Sequence, residues 1–400
     1  MLHPVNRGTP GIETYPMKIT DCRAIPLNLE MTLDAGATSR RTNLSCVLVR
    51  LESDTGLVGT GFTAITEEEV IAAAIDQVAA PAVIGMDPMA HERIWEKLYW
   101  LLAPRGQSGY AAHAIAAIDL AVWDLKARSL NLPLWRLLGG SRNRVPAYAT
   151  FGFGFFDQEQ LVAAAVDWAG RGFSRLKMTV GNHGLQRRDE PRPLSQVIAE
   201  DEKRVRAVRE AVGPAVEICI DANCSLDAYH AARLAQRLED VGLAFFEEPI
   251  TQNDVRALAD LRRRTRVPIA AGQNEGLASR FADFFSAGSL DIAQPNVAIT
   301  GGLTQCLRIA GLAQAFNVAI ANGGAWPFHN MHLHAGLAHG GFVEYHRGAV
   351  LLYEQIYREL PVAKDGWIEL PEAPGFGLEP DWDRIAELAK QPLSRGTGKA

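Results

Sequence analysis

The spacing of hydrophobic and polar positions changes twice along this chain. From Met17 the two alternate, as in MKITDCRAIPL, and CVLVRLESDTGLVGTGF sets two β-rich runs on either side of the turn-prone SDTG. Residues 17 to 65 therefore read as an antiparallel sheet. The stretch TLDAGATSRRTN within it is small and polar and reads as a mobile loop. From Thr66 apolar residues recur at three and four through EEEVIAAAIDQVAAPAVI, PMAHERIWEKLYWLL and YAAHAIAAIDLAVWDLKARSLNLPLWRLLGG, which predicts helices, with Gly139 and Gly140 closing the last.

After Val145 short apolar runs alternate with amphipathic helical segments. The runs are FSRLKMTVG, AVEICIDANCS, LAFFEEPI, VPIAAGQNEG, LDIAQPNVAI, VAIANGG and FVEYH. Strands alternating with helices imply βα units on a parallel sheet, and this many units favour a closed barrel. The predicted class is α/β, a TIM-type (modified β/α) barrel with an α+β capping domain. Residues 1–16 read as an N-terminal extension, 17–143 as the capping domain, 144–365 as the barrel, and 366–400 as a turn-rich segment returning to the capping domain.

Composition narrows the partners. A net charge of -6 provides no basic patch for nucleic acid or an anionic membrane, which leaves a small molecule. Five cysteines without CxxC spacing indicate neither a disulfide framework nor a zinc ribbon. No apolar run reaches the roughly 18 residues of a membrane span, and the N-terminus lacks the layout of a signal peptide. The expected location is cytoplasmic. No GxGxxG follows the first strand, which counts against a dinucleotide site.

In such barrels the chemistry lies at the C-terminal ends of the strands. Lys177 ends one run, Asp221 the next, Glu247 and Glu248 the next, and Gln273 with Glu275 the next; Asp221, Glu247 and Gln273 recur 26 residues apart. Carboxylates converging at the barrel mouth repel one another unless a cation sits between them, and hard oxygen donors suit Mg²⁺. Gln273 puts a neutral amide where a third acid would serve. Read as strand, Gln273 and Glu275 share one face.

AIAAIDLAVWDLKARSLNLPLWRLLGG, the DAN of 221–223, the FFEEP of 245–249 and NVAITGGLT at 296–304 resemble the enolase superfamily, mandelate racemase/muconate lactonizing enzyme type, over nearly everything after residue 16. The resemblance implies a Mg²⁺ held by three acids that binds a substrate carboxylate while a base removes the adjacent proton. Asp221 and Glu247 match the first two ligands and Gln273 the third, with Glu275 as the alternative ligand or a substrate-orienting group. The family's Lys-x-Lys appears as Lys177, Met178, Thr179, so a threonine replaces the usual base. Its Asp and His pair falls on Asn296 and on Asn322-Gly323-Gly324, and its last acid is Glu344, followed on the same face by His346.

Lys177 is then the surviving candidate base, on the expectation that burial near a metal lowers its pKa. Glu344 joins it as a catalytic group. His329, just beyond the seventh strand, is placed to serve as a displaced acid, unless it packs or caps on the following helix as His332 and His334 are expected to do; His183, in the VGNHG loop after Lys177, has a similar status. Thr179, Asn223, Glu275, Asn296 and Asn322 are candidate substrate contacts, and Arg40 could reach over the barrel as part of a specificity lid. The expected activity is Mg²⁺-dependent dehydration of an aldonate or aldarate sugar acid through an enediolate. The alternatives are a racemase, epimerase or lactone cycloisomerase, and a chemically silent relative that binds the metal or the sugar acid. Similarity to the family also implies a homo-oligomer.

Overall fold

The computed structural model describes residues 17–35, 38–64, 67–181 and 192–391; the extension 1–16 and His183 lie outside the described residues. Strands β1 (Ile19–Ala35), β2 (Thr38–Ser53) and β3 (Val58–Ala64) form an antiparallel sheet in that order. Pairing of β1 with β2 continues from Asp21 opposite Glu52 to Ala35 opposite Thr38. Most of TLDAGATSRRTN is thus strand rather than loop. The alternation carries through it: Leu29, Met31 and Leu33 are buried while Glu30 and Thr32 face solvent, which fixes a strand register.

The sheet packs on the helix Tyr110–Ser129, most of whose residues are buried. Contact is backbone to backbone at Gly61, where a Cβ would stand 1.8 Å from the Ala117 carbonyl oxygen. Only glycine allows that approach.

Eight parallel strands then build the barrel: β4 (Arg144–Gly152), β5 (Arg175–Thr179), β6 (Glu217–Asp221), β7 (Leu243–Glu247), β8 (Ile269–Ala271), β9 (Ile292–Ala293), β10 (Ala319–Ile320) and β11 (Val343–His346). Strands β4 to β10 pair in sequence order and β11 pairs back onto β4. Between β10 and β11 the join is narrower, with the Asn322 N–H donating to the Phe342 carbonyl at 2.9 Å. Strand β4, RVPAYATFG, is the one barrel strand that the run of apolar segments does not mark. Inside the barrel Tyr148, Cys219, Phe245 and Ala270 form a buried apolar layer with Phe342 against it. Everything polar that points inward must therefore collect above this floor, at the C-terminal mouth.

After the barrel, β12 (Ala363–Lys364) and β13 (Trp367–Glu369) form a hairpin, and β13 pairs antiparallel with the start of β4. The chain then returns to the first domain. Leu134 N–H donates to the Gly375 carbonyl, and Phe376 N–H donates at 2.8 Å to Asp124, which also accepts from Thr60 N–H and from Arg128. Burial raises the Asp124 pKa, against the pull of Arg128 and the two backbone donors. Asp124→Ala would strip these groups of a shared buried acceptor. It is expected to destabilise the protein by about 3–5 kcal/mol, read as a lower urea midpoint at unchanged slope.

Candidate active site

Strand register brings the candidate residues together. Thr179 lies beside Asp221, Asp221 beside Glu247, and Lys177 beside Thr150, which pairs with His346 of β11, Glu344 being two pairs back along that strand. Lys177 reaches up from the floor, its Nζ 5.4 Å from the Tyr148 ring centroid. There it donates to Glu247 at 2.7 Å, Glu344 at 3.0 Å and Asp221 at 3.2 Å, and none of the four side chains is more than 6% exposed. Glu344 also accepts from the Thr150 hydroxyl and, at 2.7 Å, from the Ala325 N–H.

One ammonium against three carboxylates leaves a buried deficit of two charges. Burial raises the Asp221 pKa against the pull of Lys177, and burial with Asp221 raises that of Glu247. Glu344 is held below its ordinary value: burial opposes this, but Lys177, His346 and its two hydrogen bonds win. Burial alone would lower the Lys177 pKa, yet Glu247, Glu344 and Asp221 outweigh it and raise it well above the ordinary lysine value. This reverses the expectation of a depressed lysine. In this arrangement Lys177 is an ammonium, and the three acids are the reason.

A divalent cation would supply the missing charge, and the residues present fit one. Glu247 Oε1 is buried without a hydrogen-bond partner, so an oxygen already desolvated stands free for a metal. Among the described residues no three His, Cys, Asp or Glu side chains form a metal cluster, so the third donor has to come from another chemistry. Gln273 provides it. Its Nε2 donates at 2.9 Å to Glu248, which fixes the amide and leaves its carbonyl oxygen as the free acceptor. Glu248 is itself fully buried and takes further bonds from Asn253 at 2.9 Å and Asn274 at 2.7 Å.

Glu275 is not a neighbour of Gln273 in function. Strand β8 stops at Ala271, Gly272 adopts φ 134°, and Glu275 N–H turns back to the Gly272 carbonyl. Gln273 and Glu275 do not share a strand face, because these residues form a turn. Glu275 is instead bonded to Asn253 at 3.2 Å and paired with Arg280 at 3.2 Å, outside the cavity, so it is neither the ligand nor a substrate contact.

Above the acids lie two adjoining chambers. The inner one, about 240 Å³, is lined by Lys177, Asp221, Gln273, Glu344, Thr179 and Asn223, together with Phe153, Trp326 and His346. The outer one, about 410 Å³, shares Thr179, Asn223, Phe153 and His346 and is walled by Met31, Leu33, Arg40 and Phe155, so the capping domain contributes one side. Arg40 lies 4.7 Å over the Phe155 ring. Residues leaving the strands are held at positive φ: Asn223, Cys224, Glu248, Ala325 and Trp326 lie between 41° and 67°, and such backbone strain gathers at functional sites.

Three candidates are structural instead. Asn296 is fully buried and spends its Nδ2 on the carbonyls of Gly323, Gly324 and Ala325 and its Oδ1 on Ala298 N–H and Asn330. Asn322 donates to the Gly323 carbonyl and accepts from Glu344 N–H, bridging β10 to β11. Neither lines a chamber. His329 stacks on Phe62 at 5.1 Å and hydrogen-bonds the Tyr353 hydroxyl at 2.7 Å, deep beneath the helix Pro327–Gly336. The helix presents it to the packed domain junction rather than the mouth, so it is not a displaced acid. Conversely, Glu248 and His346 belong to the site and were not among the expected site residues. Their signals were adjacency: Glu248 follows a ligand, and His346 follows Glu344 on the same strand face.

The chain matches two family models, that of the mandelate racemase/muconate lactonizing enzyme N-terminal domain over residues 24–139 and that of the enolase C-terminal domain-like family over 160–384. It is 31% identical to 3,6-anhydro-alpha-L-galactonate cycloisomerase of Streptomyces coelicolor over 92% of this chain and 98% of that one. It is 28% identical to arabinonate dehydratase of Saccharolobus solfataricus over 84% and 88%. Among solved structures it is similar to L-talarate dehydratase of a Polaromonas species in complex with Mg and L-glucarate, with a TM-score of 0.81 and 29% identity over 95% and 100% of the two chains.

The buried histidines give a pH signature. Burial pushes His329, His332 and His334 each down to about 3. Below pH ~6.5 the unfolded chain binds protons that the folded chain refuses, so their contribution is intact above that pH and is lost as pH falls toward 3. His332→Leu is expected to flatten the fall of Tm with acid, the gain at pH 5 being about 2 kcal/mol, from about 1.5 pH units at 1.36 kcal/mol each. Thermal melts of both proteins from pH 7.5 to 5 check this.

Proposed function

The chain belongs to the mandelate racemase/muconate lactonizing enzyme family, and from that premise we propose that it is a Mg²⁺-dependent dehydratase of a hydroxylated sugar acid, an aldonate or aldarate. The observation that carries this reading is the buried quartet Lys177, Asp221, Glu247 and Glu344, short of two positive charges and opening onto the inner chamber. Dehydratases and cycloisomerases both stand among the relatives, so the fold alone does not choose between them.

Asp221, Glu247 and the Gln273 carbonyl are the groups that would hold the ion. When bound, Mg²⁺ neutralises the two acids and stabilises negative charge developing on the substrate carboxylate. Lys177 is the amine at the chamber wall and the proposed carrier of the α-proton. Its basicity depends on the acids around it being balanced by another cation, because with all three unbalanced it stays protonated. Glu344, ionised and triply bonded, positions the Lys177 side chain. Glu248 holds the Gln273 amide in the orientation that presents its oxygen.

What favours elimination of water over inversion of a centre is that these proton-handling groups lie on one side. Strands β5, β4 and β11 are neighbours and carry Lys177, Thr150 and Glu344, whereas the β9 and β10 ends offer Asn296 and Asn322, both committed to structural hydrogen bonds. A single group can take the α-proton and return it to the departing β-hydroxyl on the same face. Racemisation requires partners on both faces.

Incubation with Mg²⁺ and a library of sugar acids in deuterated water is expected to yield a product lighter by one water and carrying solvent deuterium at carbon. Deuterium uptake at unchanged composition would establish an isomerase instead, and no conversion at all would favour a binding protein. Lys177→Met is expected to lower kcat by about 10²–10⁴. Glu247→Gln should leave the metal-free protein at least as stable, since it removes one of the uncompensated charges. The same variant should abolish the Mg²⁺-induced rise in Tm, which for wild type at 100 times Kd corresponds to about 2.7 kcal/mol.

A further inference from the structure

His346 is the last residue of β11 and the N-cap of the helix Arg347–Ile356, and its Nδ1 accepts the Ala349 N–H at 3.3 Å. A ring nitrogen that accepts from a backbone amide carries no proton, so the proton of the neutral ring sits on Nε2. The ring is wedged in place. Phe153 meets it edge-on at 5.3 Å, and a Cβ on residue 348 would lie 3.1 Å from its Cε1, so Gly348 makes room for it. It borders both chambers. Of the charged groups near it, Glu344 favours protonation, while burial, the largest effect, and Lys177 oppose it, and the ring is held neutral.

We infer that His346 is a fixed, neutral hydrogen-bond donor whose Nε2–H meets a substrate oxygen at the junction of the two chambers, and that it neither gives nor takes a proton during turnover. The inference rests on the dehydratase reading for the identity of that oxygen. With the carboxylate in the inner chamber near Lys177, the oxygen at the junction is the β-hydroxyl that departs. The backbone amide at the start of the helix fixes the tautomer, much as a helix N-terminus keeps a catalytic histidine neutral and electrophilic in other barrels. Proton transfer through Nδ1 would require breaking the helix cap. A donor aimed at the leaving oxygen stabilises the charge that develops there without reorganising.

Two side chains separate the roles of the ring. Asparagine reproduces the capping acceptor at the Nδ1 position and is a good N-cap, but falls short of Nε2. Glutamine reaches the Nε2 position with an N–H. Histidine ¹⁵N spectra of the wild-type protein, assigned by difference against His346→Asn, are expected to show the Nε2–H tautomer at pH 7. A ring protonated at Nδ1, or on both nitrogens, would overturn the inference. This measurement needs no substrate, so it stands apart from any failure of the dehydratase reading. With the sugar acid that the library screen converts, His346→Asn is expected to lower kcat/KM by about 10- to 100-fold, as loss of one hydrogen bond does. His346→Gln should restore at least a third of the wild-type value, with both limbs of the pH–rate profile unmoved. A glutamine variant as impaired as asparagine and lacking one limb would show that the ring transfers protons after all.

Discussion

The charge imbalance at the barrel mouth is the constraint on which the rest depends. The apolar layer of Tyr148, Cys219, Phe245 and Ala270 seals the barrel below, and Lys177, Asp221, Glu247 and Glu344 are almost wholly withdrawn from solvent. Isolated charges in such a place are costly to desolvate. Here the four neutralise one another only in part, and the remainder is what an incoming cation relieves. The surroundings are arranged to preserve that state. Thr150 and Ala325 bind Glu344 in its ionised form, Asn322 ties its backbone, and Asn223 N–H holds one oxygen of Asp221 at 2.8 Å. A pre-organised deficit of charge is a device for binding a metal, and little else would keep it.

The features readable from sequence were those set by period and by chain-wide regularity. Alternation gave the small sheet, the recurrence of βα units gave the barrel, and the even spacing of Asp221, Glu247 and Gln273 pointed to the barrel mouth. What escaped was decided by local backbone. A glycine at positive φ follows the end of β8 at Ala271, ahead of Gln273, and swings Glu275 away to Arg280. The hairpin of β1 and β2 persists through small polar residues because the alternation continues, with Leu29, Met31 and Leu33 buried between exposed Glu30 and Thr32. His329 looked close to the mouth in sequence, but a helix turns residues every 100° or so, and this one faces Phe62. The direction of the Lys177 shift also escaped: burial was legible, whereas the number of acids within reach of one nitrogen was not.

The amide at position 273 makes sense beside Thr179. Relative to the pattern that the family resemblance sets out, Thr179 removes one positive charge from the mouth and Gln273 removes one negative charge. The two departures cancel. Leaving aside the family's Asp and His pair, which falls on Asn296 and on Asn322-Gly323-Gly324, three ligand acids, a fourth acid and two lysines sum to a deficit of two, and so does the arrangement of Asp221, Glu247, Glu344 and Lys177 seen here. An acid at 273 without a lysine at 179 would add a third uncompensated charge, and would do so against Glu248, whose oxygens now accept from the Gln273, Asn253 and Asn274 amides. Decay of an unused site has no reason to conserve a sum. A divalent cation does, because its two charges fix how much the protein must leave unpaired.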